Sequence, residues 1–280
     1  MNRRTLLGAS ALAATLAVAG LAQAQGLPPL EQKDSYTVGF AQSESNNPWR
    51  IAETQSFQDT AAECGWNLIV TDAGGSAAKQ VADVDSMIAQ GIDVLFLPPR
   101  EEDPLIPAVM RAQAAGIPVF LVDRSVNPEV AQAGTNYVAF LGSDFVDQGR
   151  RAAEYMMENF EGEQGRIIQL EGTTGSSPAN DRKTGFDEAI AGDARFTMLE
   201  SRSGDFSRDE GRRVMETLLQ AYPDVNIVYA HNDEMAIGAI QALEAAGRVP
   251  GEDVMVVSID GTRDALQAII DGKMAVTVES

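Results

Sequence analysis

Short β-branched runs alternate with stretches of helical length along nearly the whole chain, and this alternation constrains the fold more than any other feature. Strand patterns are predicted at residues 36–41, 67–71, 94–97, 119–122, 139–142, 167–170, 227–230, 254–259 and 275–278, with a weaker one near 196–199. Helical patterns are predicted at residues 51–63, 81–89, 104–115, 147–159, 208–220 and 234–246. Gly65, Gly91, Gly116 and Gly247 stand between a helix and the next strand, where a left-handed C-cap suits glycine. Apolar strands interleaved with helices imply parallel sheets covered on both faces, an α/β architecture.

The N-terminus reads differently. Arg3 and Arg4 precede an apolar stretch from Leu6 to Leu21, followed by Ala22-Gln23-Ala24. A charged start, a short apolar core and an A-x-A site describe a secretory signal over residues 1–24. The stretch is shorter than the about 20 residues of a membrane span. The arginine pair fits either the general or the twin-arginine export route, which stay open. The remaining roughly 256 residues suffice for two domains of ordinary size. Removing the signal takes away two arginines and no acid, moving the formal charge from −20 to −22. Such an acidic surface argues against nucleic acid or anionic lipid as a partner. Cys64 is the single cysteine and His231 the single histidine, so neither an intrachain disulfide nor a transition-metal site is expected.

Polar residues gather just after the predicted strands. Asp72, Asp123-Arg124, Ser143-Asp144, Glu171-Gly172-Thr173, His231-Asn232-Asp233 and Asp260-Gly261 all occupy such positions. Ligands of open α/β sheets bind beyond the carboxyl ends of the strands. Asp, Asn, Ser and Thr are also natural helix caps, which accounts equally well for Asp72, Ser143 and Asp233. Arg124 makes a poor cap and needs another reason. Carboxylates and amides that accept, arginines that donate in a planar fork and a ring to stack on together suit a sugar. Asp123, Asp260, Asn232, Arg124 and Arg182 supply the polar set, and Trp49 the ring, unless it merely packs at a helix start. No G-x-G-x-x-G, G-x-x-x-x-G-K-[ST] or G-x-S-x-G motif is present, so no cofactor and no enzymatic activity are expected.

From about residue 36 onward the chain resembles the periplasmic sugar-binding proteins of ABC importers, of the ribose-binding type. The carriers are Asn47-Pro48-Trp49-Arg50, Ala89-Gln90-Gly91-Ile92-Asp93, Ile117-Pro118-Val119-Phe120-Leu121-Val122-Asp123-Arg124, Asp181-Arg182-Lys183-Thr184-Gly185-Phe186 and Ser258-Ile259-Asp260-Gly261. The segments Ser203-Gly204-Asp205-Phe206-Ser207-Arg208 and Val228-Tyr229-Ala230-His231-Asn232-Asp233 pull the resemblance toward the galactofuranose-binding type. It implies two Rossmann-like lobes, 25–142 and 143–280, hinged to close on one monosaccharide and then docking, as a monomer, on an inner-membrane permease. It implies sugar contacts from Asp123, Arg124, Arg182 and Asp260, from Asn232 or Asp233, and from Trp49 and Arg50, although Arg50 also fits a surface helix position. A sensor for a chemoreceptor or regulator is the alternative role. Family members usually continue about 40 residues past Ser280, adding a helix to the first lobe. The expectation is therefore exposed apolar surface on that lobe and marginal stability. Equal melting of this chain and one extended by that segment would refute the stability expectation.

Overall fold

The computed structural model describes residues 32–280, so the secretory-signal expectation at 1–24 lies outside the described residues. The first half builds β1 (Thr37–Gln42), α1 (Pro48–Cys64), β2 (Asn67–Asp72), α2 (Ala77–Ala89), β3 (Val94–Leu97), α3 (Glu102–Ala114), β4 (Val119–Val122) and β5 (Ala139–Leu141). The second half builds α4 (Phe145–Asn159), β6 (Gly165–Glu171), α5 (Ser177–Ile190), β7 (Phe196–Ser203), α6 (Arg208–Ala221), β8 (Ile227–Ala230), α7 (Asp233–Ala245), β9 (Met255–Asp260), α8 (Arg263–Ile270) and β10 (Val276–Glu279). Each half folds around a five-stranded sheet whose neighbouring strands all run parallel. The orders are β2-β1-β3-β4-β5 and β7-β6-β8-β9-β10, the same topology twice. This is the two-lobed α/β fold of the type I periplasmic binding proteins. The chain passes between the lobes through residues 142–144, and α4 already packs on α5, β9 and β10.

Gly65, Gly91, Gly116 and Gly247 all have positive φ, as expected of left-handed caps. Two helices escaped the sequence pattern, α5 and α8. In α5 the buried positions include Arg182 and Gly185 beside Ala179, Phe186 and Ile190, so its inward face does not read as apolar. Gly185 is there for proximity: a Cβ on it would lie 2.0 Å from the Val146 carbonyl oxygen on α4.

Both sheets place a topological switch point at their carboxyl edges, between β1 and β3 and between β6 and β8. The two edges face each other, so the loops after β1, β3 and β4 meet those after β6, β7, β8 and β9 across one cleft.

Candidate functional site

A narrow cavity of about 30 Å³ lies between the lobes. Trp49, Arg50, Asp123, Arg124, Arg182, Asn232 and Asp260 all line it. Asn47, Pro178, Phe206 and Ser280 line it too.

From the first lobe, α1 starts at an Asn47 cap, with Pro48 in its first turn, and its second and third residues are Trp49 and Arg50. That start is fixed because the Asn47 side chain accepts from the Arg50 amide at 3.0 Å. The Arg50 side chain is buried, so the surface-helix alternative does not hold. It donates to Asp123, and to Glu53 at 2.8 Å, with its guanidinium 4.8 Å from the Trp49 ring centre. Burial disfavours its charge, but Asp123, Glu53 and Glu44 outweigh that and raise its pKa. Arg124, also buried, donates to Glu44 at 2.7 Å. Burial and the nearby Arg50 push its pKa down to about 10, and Glu44 only partly offsets them. Its buried Nε has no partner.

From the second lobe, Arg182 reaches in from α5. Its guanidinium donates to Gln148 at 3.0 Å, to the His231 carbonyl at 2.6 Å and to Ser280 Oγ at 3.3 Å, and lies 3.5 Å from Asp260. Burial pushes the Asp260 carboxyl up to about 8, helped by Asp233 and Asp123 and opposed by Arg182. The Phe206 ring lies 5.4 Å from the Arg124 guanidinium and 5.9 Å from that of Arg182, one from each lobe.

Asn232 caps α7 through the Met235 amide and donates to the Phe206 carbonyl at 3.2 Å, so it borders the cleft while holding its wall. Asp233 is brought elsewhere. Its carboxylate accepts from Ser258, from Thr277 at 2.7 Å and from the Thr262 amide at 2.7 Å, fastening the loop after β9. Those three donors use its oxygens, so of the Asn232–Asp233 pair only Asn232 borders the cleft. His231 is fully buried, its Nδ1 accepting from the Gly172 amide at 3.3 Å. Asp72 and Asp144 serve as turn and cap residues, accepting from the Gly74 and Asp147 amides.

Backbone strain marks the same place. Among the described residues, the non-glycine positions with positive φ are Asp123, Asp205, Phe206 and Asp260. All four stand at the cleft or its mouth. Such conformations cost about 1–3 kcal/mol each and persist where the surroundings impose them. Phe206 is held in place because Gly172 lacks a side chain: a Cβ there would sit 1.9 Å from the ring. No sequence pattern announces that arrangement, so Phe206 was legible only as part of a motif.

Two facing α/β lobes with a polar, ring-lined cleft between them define a ligand-binding protein of the two-lobed type. The model of the periplasmic binding protein domain matches residues 38–279, and the chain belongs to that family. The galactofuranose-binding protein YtfQ of Escherichia coli K12 is 37% identical over 246 residues, covering 87% of this chain and 76% of that protein. The ribose import binding protein RbsB of the same organism is 38% identical over 274 residues, covering 98% and 85%. A crystal structure of a galactofuranose-binding protein superposes with a TM-score of 0.84 at 37% identity, covering 88% and 83% of the two chains. The arabinose-binding component of a Shewanella ABC transporter, bound to L-arabinofuranose, superposes at 0.82 and 35% identity, covering 87% and 80%. These relatives are substrate-binding proteins rather than enzymes.

Proposed function

We propose that this protein captures a neutral monosaccharide, in the furanose or a related pentose or hexose form, for an ABC importer. The carrying observation is the charge balance of the cleft. Arg50, Arg100, Arg124 and Arg182 stand against Asp123, Glu53, Glu44 and Asp260, four of each sign, and every arginine lies beside at least one of these carboxylates. A site already neutral offers no net attraction to a sugar acid or phosphate. It offers directed donors and acceptors to hydroxyls, with Trp49 and Phe206 supplying faces for the apolar side of a sugar ring.

In this reading Asp123 and Asp260 accept from hydroxyls, and the unpartnered Nε of Arg124 and the Arg182 fork donate. The lobes, 25–142 and 143–280, hinge about residues 142–144. Contacts from both lobes exist only when they are closed, so the sugar stabilises the closed form. The closed form, a monomer in the periplasm, then docks on an inner-membrane permease. A relative named as an import binding protein, that for ribose, favours transport over a receptor-linked sensor.

The test is a thermal-shift screen against neutral monosaccharides, with sugar acids and sugar phosphates alongside. A ligand of the folded state raises the melting temperature by mass action. A shift with one or a few neutral sugars, lost in Asp123→Ala, supports the reading. A shift only with charged sugars refutes it.

A further inference from the structure

Outside the sugar cleft, a polar chain crosses from lobe to lobe. Asp205, in the loop after β7, accepts from Arg100, in the loop after β3, at 3.0 and 3.3 Å. Arg100 is in turn held by Glu44, a buried carboxylate that also holds Arg124 of the sugar cleft. The Arg100 guanidinium passes close to Gly75, where an added Cβ would lie 3.5 Å from its nearest nitrogen. On the second lobe, the Thr173 hydroxyl donates to Asp205 at 2.8 Å and the Ser203 Oγ accepts from the Asp205 amide at 3.2 Å. Asp205 holds φ +52°, a left-handed conformation that Asp adopts more readily than most non-glycine residues, and its carboxylate meets Arg100 from there.

The two ends differ in a telling way. Arg100 and Glu44 are anchored within the first lobe whether or not the lobes meet, because their mutual pair is local to it. The Asp205 carboxylate is 43% exposed and is the part that meets Arg100 across the gap. Opening the cleft breaks this ion pair, together with the interlobe hydrogen bonds from the Ser125 amide to Ser177 Oγ at 2.8 Å and from Asn180 to the Glu102 carboxylate at 2.6 Å, and leaves the Arg100–Glu44 pair within the first lobe. An open, polar cavity bounded by Glu44, Asp72, Arg100 and Asp205 keeps this contact wet.

We infer that Arg100 and Asp205 form an interlobe clasp that sets the balance between open and closed forms, separately from the sugar's own contacts. Through Glu44 the clasp shares its anchor with Arg124, so closure and the positioning of that arginine are linked. Asp205 is a positioning residue. The affinity part of this inference rests on the proposed sugar binding; the closure part does not.

The experiment measures both. A spin label on the native, exposed Cys64 and a second on Gln220→Cys report the interlobe distance in the full chain by pulsed dipolar spectroscopy. Asp205→Asn keeps the shape and tolerates positive φ while removing the charge. The expected result is a smaller closed fraction without sugar and an affinity loss of about threefold to fivefold, as for a screened ion pair. Both effects shrink in about 1 M salt. Asp205→Gly, which fits the same backbone, gives an effect at least as large. Unchanged distance distributions in both variants, or a lower melting temperature without a change in closed fraction, overturn the clasp. A changed distribution in a protein that binds no sugar leaves the clasp standing and removes the sugar reading.

Discussion

The two lobes share one strand order but are not equally finished. The second sheet has a buried cluster on each face, one under α6 and α7, the other under α4 and α5. In the first lobe, α2 and α3 cover one face with a comparable cluster. The other face carries an aromatic row in which Phe57 stacks on Phe40 and tilts against Phe96, which stacks on Phe120, with α1 as its cover among the described residues. Phe96 and Phe120 are half-buried there, and Leu141 and Ile51 are 55% and 56% exposed. Identical topology thus does not guarantee identical burial: topology follows from the order of strands and helices, coverage from how many helices reach each face. The cleft shows a second asymmetry. First-lobe arginines are tied to that lobe's carboxylates, whereas Arg182 is held mainly by an amide, a carbonyl and a hydroxyl.

The largest expected effect tests the packing contrast. Phe186→Ala, in the doubly covered lobe, removes a fully buried ring stacked on Tyr229 and costs about 3–5 kcal/mol in urea unfolding. Phe120→Ala, on the half-wet face, costs less than half of that. Equal costs break the comparison.

Next comes the contrast between arginines. Arg182→Ala strips the second lobe's donor and leaves Asp260 without its cation. Sugar affinity measured by calorimetry should fall by more than about 100-fold, as for loss of charged hydrogen bonds. Arg50→Lys keeps a charge but cannot bridge Asp123 and Glu53 at once, and about tenfold is expected. A larger loss at Arg50 would move the weight of recognition to the first lobe.

The acid of the second lobe supplies a pH test. Asp260 ionises near 3.8 when unfolded, and burial raises it to about 8 in the folded protein. Between those values the folded form holds the extra proton, so this group's contribution to stability falls as the pH rises through that window. Asp260→Asn should flatten the decline in melting temperature between about pH 5 and pH 8. An unchanged slope shows that Arg182 keeps the carboxyl ionised.

The smallest effect belongs to the partly covered face of the first sheet. Leu141→Ser should change stability by less than about 0.5 kcal/mol, because that side chain is already in water. It should nevertheless lower the binding of a hydrophobic dye. A large stability loss would mean that the face is covered in solution.

Strand positions and order along the chain were legible in the sequence because a buried parallel strand is a short β-branched run whatever surrounds it. Strands β3, β4 and β8 begin and end where the pattern puts them. Helix α5 was not legible, because its inward positions carry Arg182 and Gly185, chosen for a cleft and for close approach to α4. The cluster of polar residues after the strands pointed to the cleft, and Arg50, Asp123, Arg124, Arg182 and Asp260 converge there. Tertiary structure alone decided that Asp233 ties down a loop while Asn232 borders the cleft, since adjacent residues at a helix start point in different directions. It alone decided that Phe206 enters the cleft and that Arg100 meets Asp205, 105 positions apart in the chain. Composition and periodicity report what each segment buries. Which distant charge compensates a buried one is fixed only when the lobes face each other.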